Sequence, residues 1–362
     1  MAMSGKKIYF VNAPVDFFFI GGFSILVYFG LPLIGQSERS MQITMLAGAL
    51  SWVVNWPHFS ATCYRLYHSS DNTSQYPITS WVVPPLIIAA VLYSFASPML
   101  VAPLFVKVFL MWSPSHFSGQ TLGITLLYAR RTEFAIDRWQ RSLLEGFIFG
   151  TFLFSTARAE TAVGRMNYYS MAVPYLGLPN WVPTALQIAM WGCGAGFLVL
   201  LAAQCVRQRR LPPLIVLTPA LAQMTWFVLG PRVPGFYEFV PFFHSLQYLL
   251  IAWAMQLKEK LVESGVRPSW TYAGSETFVW SYTNFAGGVA MFWAFPHFAA
   301  LLGVPFDLAN PVIIAAFQIH HFFVDGVIWK LRNPKVGSSL MTSADEFIGA
   351  ASRIPAGTRQ PA

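Results

Sequence analysis

Charged side chains are scarce in this sequence of 362 residues. Asp, Glu, Lys and Arg make up 10% of it, whereas hydrophobic residues make up 55%. Because a soluble globular domain carries about 25% charged residues, so few charges cannot cover a surface that faces water. The composition therefore excludes a soluble cytosolic enzyme. An aromatic content of 16% also excludes disorder over most of the length.

Cysteine pairs and the common nucleotide-binding and hydrolase motifs are also lacking. The three cysteines are Cys63, Cys193 and Cys205, and no two of them form a CxxC pair. Three are too few for a disulfide framework. No GxGxxG, Walker or GxSxG element occurs in the strand-to-helix context that such motifs require. The sequence thus gives no sign of a disulfide-rich secreted domain, a dinucleotide-binding fold or a serine hydrolase.

Long apolar runs are what the sequence does contain. Many are near or above the length of about 20 residues that crosses about 30 Å of hydrocarbon. They are continuous, so they do not fit the short alternating strands of a membrane barrel. Helices also satisfy their own backbone hydrogen bonds in lipid. We expect an all-α polytopic membrane protein surrounded by membrane lipids, with about ten transmembrane helices in a single domain, 1–335, followed by a flexible cytoplasmic tail, 336–362. The expected spans are 14–35, 41–62, 80–97, 99–128, 142–157, 181–204, 211–230, 238–257, 277–303 and 309–330.

The basic residues predict the orientation of these spans. Most Lys and Arg residues fall in the N-terminal segment, the C-terminal segment and alternate loops. Because cytoplasmic loops are enriched in Lys and Arg, we expect both termini to be cytoplasmic and the protein to be a multi-pass protein of the cell membrane, in a bacterium the inner membrane. The same loops explain the net charge of +8 without a nucleic-acid partner. The loops on the other side contain Arg39, Arg158, Arg165 and Arg232.

The start of the chain predicts a retained first span. Lys6 and Lys7 precede a full-length apolar run, and no small-residue cleavage site follows a short apolar core, so the pattern is not that of a cleaved signal peptide. Asp16 opens this span, where we expect it to cap the helix. Lys107 is a cation inside the fourth span, and the sequence gives it no evident partner.

Histidines inside the expected spans are the main candidates for function, because ionisable residues are costly in a membrane and usually serve a purpose there. Five of them lie on four spans that run in the same direction. We count the residues from each histidine to the next basic residue on its helix and take a rise of 1.5 Å per residue. This places all five histidines in one layer, in the cytoplasmic half of the membrane. His297, on an antiparallel span, and His68, in a loop, are expected to be structural. The five candidates are His58, His116, His244, His320 and His321.

Polar neighbours accompany these histidines. Neutral imidazoles bind Zn, Cu, Fe and Ni, so three or four of them from separate helices would form a metal site. Asp325, four residues after His321, faces the same way and could bind the metal or orient a ring. Gln120 and Gln247 lie one helical turn after His116 and His244, where their amides could hold a ring N–H or a bound water.

Other roles for the same histidines remain open. Hydrogen-bonded histidines and Asp325 would form a proton relay in a membrane transporter, with Lys107 in the pathway. A facing pair, for example His116 and His244, would bind haem. The histidines would also serve as simple polar contacts between helices.

Short segments around the histidines resemble the histidine-bearing helices of the Brp/Blh-type integral-membrane β-carotene dioxygenases. The segments are 55–59 (NWPHF), 115–120 (SHFSGQ), 244–248 (HSLQY) and 320–326 (HHFFVDG). In that family the Pro-His pair is followed by Gly and soon by Asp, whereas Phe59 and Ser60 follow it here. Membrane fatty-acid desaturases use HxxxH and HxxHH boxes, and the sequence contains neither.

The resemblance implies an all-helical fold in which histidines from separate helices hold an iron that cleaves a long polyene with O₂. It also implies a role as iron ligands for His58, His116, His244 and one of His320 and His321. We therefore expect a membrane-bound metal-dependent oxidoreductase, a dioxygenase or hydroxylase. Its cofactor would be non-haem iron (Fe²⁺) or another transition metal. Its partners would be O₂ and a lipophilic small molecule, such as a carotenoid, isoprenoid or acyl chain.

Overall fold

A computed structural model of the chain describes residues 8–34, 36–330 and 334–349. These residues are almost all helical, which agrees with the predicted all-α class. A short hairpin of two antiparallel strands, β1 (Arg165–Tyr168) and β2 (Met171–Pro174), pairs Arg165 with Pro174. The helices are α1 (Ala13–Leu33), α2 (36–67), α3 (Ser70–Gln75), α4 (Ile78–Ala96), α5 (Val101–Arg131), α6 (Arg138–Ala159), α7 (Trp181–Gln208), α8 (Leu214–Arg232), α9 (Val240–Ser264), α10 (270–301), α11 (Phe306–Ile328), α12 (Pro334–Ser339) and α13 (Asp345–Ile348).

Five helices are long and apolar enough to cross a membrane: α1, α4, α7, α8 and α11. The other long helices, α2, α5, α6, α9 and α10, coincide with the remaining expected spans but are less apolar or carry more charge. In the most apolar stretch of α8, 67% of the residues are buried, against 17% in α7. Thus α8 lies inside the helix bundle, while α7 exposes its apolar side chains at the rim. Exposed apolar faces of this extent are typical of a membrane-embedded protein.

Prolines explain several wide turns inside the helices. π-helical turns at Ser51–Asn55 in α2 and Ala290–Ala294 in α10 lie just before Pro57 and Pro296. Proline has no N–H to donate to the carbonyl one turn back, and a wider turn redistributes the remaining bonds. In α2 the turn ends three residues before His58, so it helps to set the direction in which that ring points.

The two terminal segments are held together by Arg131 at the end of α5. Its guanidinium donates hydrogen bonds to the carbonyl oxygens of Ile8 and Tyr9 on one segment and of Leu340 and Thr342 on the other, at 2.7–2.8 Å. Five N–H donors in a rigid plane allow one arginine to bridge several carbonyls. Residues 336–349, the first part of the expected tail, are packed against the bundle through this bridging.

The burial of side chains in 336–349 confirms that this segment is packed against the bundle. Leu340 is 3% exposed and Phe347 is fully buried, and the Ala344 N–H donates to the Phe10 carbonyl. Residues 350–362 of the expected tail lie outside the described residues, as do Lys6 and Lys7.

Asp16 is a buried acceptor and does not cap α1. The side chain of Asn12 takes the capping bond, from the Val15 N–H at 3.0 Å. The Asp16 carboxylate instead accepts from the Phe10 and Val11 N–H groups and from the Tyr128 hydroxyl at 2.7 Å. The expected cap is therefore wrong, since the chain before α1 folds back over its first turn and brings its own N–H groups to this carboxylate.

Lys107 in α5 pairs with Glu160, the residue that follows α6. Its Nζ lies 2.5 Å from Glu160 Oε1, and both side chains are buried. Glu160 Oε2 accepts from the Leu176 N–H at 2.9 Å, just beyond β2. This ion pair therefore fastens the β-hairpin to the bundle, a contact between residues far apart in the sequence.

We expect Arg131→Ala to lower the free energy of unfolding by about 3 kcal/mol or more, because several buried carbonyls lose a charged donor worth about 1.5–3 kcal/mol each. Protease cleavage within 336–349 should also become faster. Chemical unfolding in detergent and limited proteolysis measure the two effects. Arg130→Ala is the matched control, since Arg130 is exposed. Equal effects of the two substitutions would contradict the bridging role of Arg131.

Candidate metal centre

Four histidines enter one buried space from four different helices. They are His58 in α2, His116 in α5, His244 in α9 and His321 in α11. Prolines precede two of them closely, Pro57 in α2 and Pro114 in α5. A proline breaks the regular hydrogen-bond ladder at these points, which gives the following turns room to aim their rings inward. The prediction that histidines from separate helices converge is confirmed for these four.

The four rings are close enough to bind a single ion after a small adjustment. One nitrogen from each ring lies within 4.8 Å of the others. Ring centroids are 4.4 Å apart for His58 and His321, 4.7 Å for His116 and His321, and 5.0 Å for both His58–His244 and His116–His244. Two nitrogens bonded to one ion at about 2.0–2.1 Å lie no more than about 4.2 Å apart. The separation of up to 4.8 Å exceeds that limit by about 0.6 Å, so the rings must move inward to hold one ion.

Several of these nitrogens have no hydrogen-bond partner among the described residues, although they are buried. They are His58 Nε2, both ring nitrogens of His244, and His321 Nδ1. Buried polar atoms are nearly always paired, and an unpaired one costs about 1–3 kcal/mol. A cation bound between the rings would satisfy those of these nitrogens that face it.

A serine fixes the His58 ring. Ser245 Oγ lies 3.0 Å from His58 Nδ1 and 2.7 Å from the Pro241 carbonyl oxygen. The hydroxyl has one proton and also lies 2.8 Å from Asn55 Oδ1. When that proton goes to either of these oxygens, Oγ accepts from the Nδ1–H group of His58. The second nitrogen, Nε2, then carries its lone pair toward the other rings. This is the form of histidine that binds a metal, and its outer partner selects it.

Asp325 joins the cluster from α11. Its Oδ2 lies 3.3 Å from His321 Nε2 and 3.6 Å from His116 Nε2. Its Oδ1 accepts from Trp329 Nε1 at 3.0 Å and lies 3.3 Å from the Thr62 hydroxyl. One carboxylate oxygen is thus fixed by neighbouring donors while the other faces the imidazoles. This placement suits both roles considered for Asp325, metal ligand and partner of a ring.

The Thr62 hydroxyl is itself held by Tyr248. The two hydroxyl oxygens lie 2.6 Å apart, and the Tyr248 ring packs on His58 with centroids 4.3 Å apart. Sequence reasoning missed these supporting residues, although spacing offered a signal: Thr62 lies one helical turn after His58, and Trp329 one turn after Asp325. Ser245 directly follows His244 but supports His58 on another helix, which only the fold reveals.

The structure does not place His320 with the other four expected ligands. Its Nδ1 lies 3.6 Å from Cys63 Sγ and its Nε2 lies 3.1 Å from the Tyr67 hydroxyl. Adjacent helical residues point about 100° apart, so His321 and His320 cannot face the same space. His297 and His68 also lie elsewhere, as expected, with ring nitrogens bonded to backbone carbonyls of their own helical turns.

The two glutamines donate hydrogen bonds to backbone carbonyls and not to imidazole rings. Gln120 Nε2 donates to the His244 carbonyl at 3.0 Å and to Gln247 Oε1 at 3.1 Å, and the Gln247 amide donates to the Ile20 carbonyl in α1. Neither amide bonds to a ring N–H among the described residues, and their other expected role, holding a bound water, stays a prediction. They instead fix α1, α5 and α9 relative to one another, and Gln120 also lines the adjoining cavity.

A cavity of about 490 Å³ adjoins the cluster on the side of His116 and Asp325. Ligand cavities of soluble and membrane proteins commonly measure about 300–1,000 Å³. Apolar and aromatic side chains form most of the wall, including Trp112, Phe149 and Phe322. The histidine cluster thus has one side open to a space large enough for a small molecule.

We expect that in Ser245→Ala the tautomer of His58 is no longer fixed. The protein should then bind an added divalent ion such as Co²⁺ about 10–100-fold more weakly, because this is the usual cost of removing an outer partner of a metal-binding histidine. Titration of detergent-purified protein measures the affinity. Ser94→Ala is the matched control, since Ser94 is also fully buried and donates to a helical carbonyl, but in α4. An unchanged affinity in Ser245→Ala would refute the orienting role.

A scan of protein-family models finds no match to this chain, and searches of curated proteins and of solved structures find none either.

Proposed function

We propose that this chain is a multi-pass membrane metalloprotein that oxidises a lipophilic substrate with O₂. One transition-metal ion would be bound by His58, His116, His244 and His321, with Asp325 as a further ligand or as the partner of a ring. The observation that carries the proposal is the convergence of four imidazoles, three buried and His116 half-buried, whose nitrogens lie within 4.8 Å of one another, several of them without another partner among the described residues.

The donor set favours iron. Imidazole nitrogen and carboxylate oxygen suit iron, and a set of histidines with one carboxylate is typical of non-haem iron proteins. The nearest thiol, Cys63, contacts His320 and does not belong to the four-histidine cluster, so a soft-metal site is not favoured. When bound, the ion would supply one-electron and O₂ chemistry.

The arrangement does not favour a proton relay. In a relay each ring must lie within hydrogen-bond distance, about 2.7–3.2 Å, of the next group. His116 and His321 meet this condition, with Nε2 atoms 3.0 Å apart. His244 has no such partner at either nitrogen among the described residues, so a chain of proton transfers would stop there. Haem is not favoured either, because nitrogens of His58 and His321 also lie within 4.8 Å of those of His116 and His244, which would leave no room for a macrocycle between a facing pair.

The residues around the cluster are suited to an apolar substrate. The cavity beside His116 and Asp325 has aromatic walls formed by Trp112, Phe149 and Phe322. Such walls bind hydrocarbon and exclude water from the reacting carbon. Thr62 and Trp329 hold Asp325 in place on the cavity side, so the carboxylate keeps its position as substrate enters and leaves.

The proposal includes a topology with ten spans and both termini in the cytoplasm. It is supported by the ten long helical segments and by the concentration of basic residues in alternate loops. In this topology α2, α5, α9 and α11 run in the same direction and carry the four histidines at one depth.

Elemental analysis of the purified protein tests the metal site directly. We expect about one iron per chain when cells are grown with iron. His244→Ala should lose most of this iron, because it removes a ring with two unpaired nitrogens, while His297→Ala should retain it. His297 is a matched control because it is exposed and its ring bonds to the Trp293 carbonyl of its own helix. Wild-type protein free of iron, copper and zinc would refute the proposal.

Oxygen consumption tests the reaction. Iron-loaded protein given a pool of carotenoid, isoprenoid and acyl lipids should consume O₂ and yield products heavier by one or two oxygen atoms. Incorporation of both atoms without added reductant indicates a dioxygenase, whereas incorporation of one atom with loss of the other as water requires an external electron donor. His116→Ala should abolish the uptake and His68→Ala should not. Uptake that persists equally in His116→Ala would contradict the assignment.

A further inference from the structure

The cavity beside the histidine cluster is long and follows α5. Its wall includes residues of α5 from Trp112 to Leu127, a stretch of about 22 Å at 1.5 Å per residue. On α11 and just beyond, the wall runs from Phe322 to Lys330. The cavity therefore extends from the level of the histidines toward the end of the bundle where Arg131 and the C-terminal segment meet.

Glycines form one side of this cavity. Gly119 and Gly123 in α5 lie one helical turn apart and so share a face, and Gly326 in α11 lies across from them. All three line the cavity and are exposed, and a Cβ added to any of them would meet no atom within 4 Å. The missing side chains thus leave a slot that opens sideways between α5 and α11, the direction from which a lipid arrives.

One basic side chain lies on this wall. Lys330 follows the end of α11, is exposed and has no carboxylate partner among the described residues. The neighbouring wall is apolar, with Leu127, Ile251 and Leu340. The carboxylate in the cavity, Asp325, is already held by Thr62 and Trp329. The cavity wall therefore places the cation of Lys330 at the end of an apolar slot that leads to His116.

We propose that the cavity binds a single-chain amphiphile with an anionic group, a carboxylate or a phosphate. The anionic group pairs with Lys330, and the hydrocarbon chain lies along Gly123 and Gly119 and passes His116 and Asp325. This inference rests on the proposed function, because it names the substrate class for the same site. The binding itself uses only the chain's own side chains and does not require the metal.

Binding measurements on full-length protein in phosphatidylcholine nanodiscs test this. The probes are tritiated hexadecanoate, hexadecyl phosphate and 1-hexadecanol, which share one chain and differ in head group. We expect at least one anionic probe to bind about tenfold more tightly than the alcohol, which corresponds to about 1.4 kcal/mol. The preferred anionic probe identifies the head group as carboxylate or phosphate. Equal affinity of the protein for all three probes would overturn the proposal.

Variants locate the two ends of the ligand. Lys330→Gln should reduce binding of the anionic probe to the level of the alcohol while leaving the alcohol unaffected. Gly123→Leu should weaken all three probes by about tenfold, because the new side chain fills the slot. Gly119→Leu provides the same test if Gly123→Leu fails to fold. Unchanged head-group preference in Lys330→Gln, or unchanged binding in both folded glycine variants, would overturn the proposal.

Matched controls lie on α7. Gly192→Leu introduces the same side chain at an exposed glycine with open space around it, and Arg207→Gln removes an exposed cation at the end of a helix. Both should bind the probes like wild type. Iron content is measured on the same samples: iron without probe binding overturns this inference and leaves the metal proposal intact, whereas probe binding without any metal refutes the metal proposal and supports the amphiphile site.

Discussion

The structure depends on bringing together four imidazoles, three of them buried, several of whose nitrogens have no hydrogen-bond partner among the described residues. Helices α2, α5, α9 and α11 each bring one ring into a space where nitrogens lie within 4.8 Å of one another. Leaving such groups unpaired is costly in a low dielectric, so the surrounding helices must hold the rings together against that cost. Contacts between the surrounding helices hold the rings in place, and a bound cation would remove the cost of the unpaired nitrogens.

Close helix packing supplies much of that support. A Cβ on Gly288 of α10 would lie 2.6 Å from the backbone carbon of Trp56 in α2, so only glycine allows the two backbones to approach just before His58. Gln120 and Gln247 fasten α5, α9 and α1 to one another through backbone carbonyls. At the end of the bundle Arg131 bridges the two terminal segments. Each of these contacts fixes a helix that carries a histidine or adjoins one that does.

Much of the fold was predictable because membrane helices leave a strong signal in sequence. The apolar runs correspond to long helices, and the common depth of the histidines predicted that His58, His116, His244 and His321 would meet. The errors have physical causes. Depth along a helix says nothing about rotation, so His320 was included although it points about 100° away from His321. Helical spacing placed Gln120 beside His116, but its amide is used by the His244 carbonyl of another helix. Gly, Ser, Ala, Pro and scattered charge over 336–362 suggested a mobile tail, and local composition could not show that Arg131, far away in sequence, contacts Leu340 and Thr342.

The sequence by itself determined the helical class, the apolar lengths of the helices and the position of each histidine along its helix, because these follow from local composition and from a fixed rise per residue. Only the tertiary structure decided which rings face one another, which nitrogen of His58 is free, and that Lys107 pairs with Glu160. These features depend on rotation about helix axes and on contacts between distant segments. Many packings share the same helices, so side-chain fit between them selects the one that brings the four histidines together.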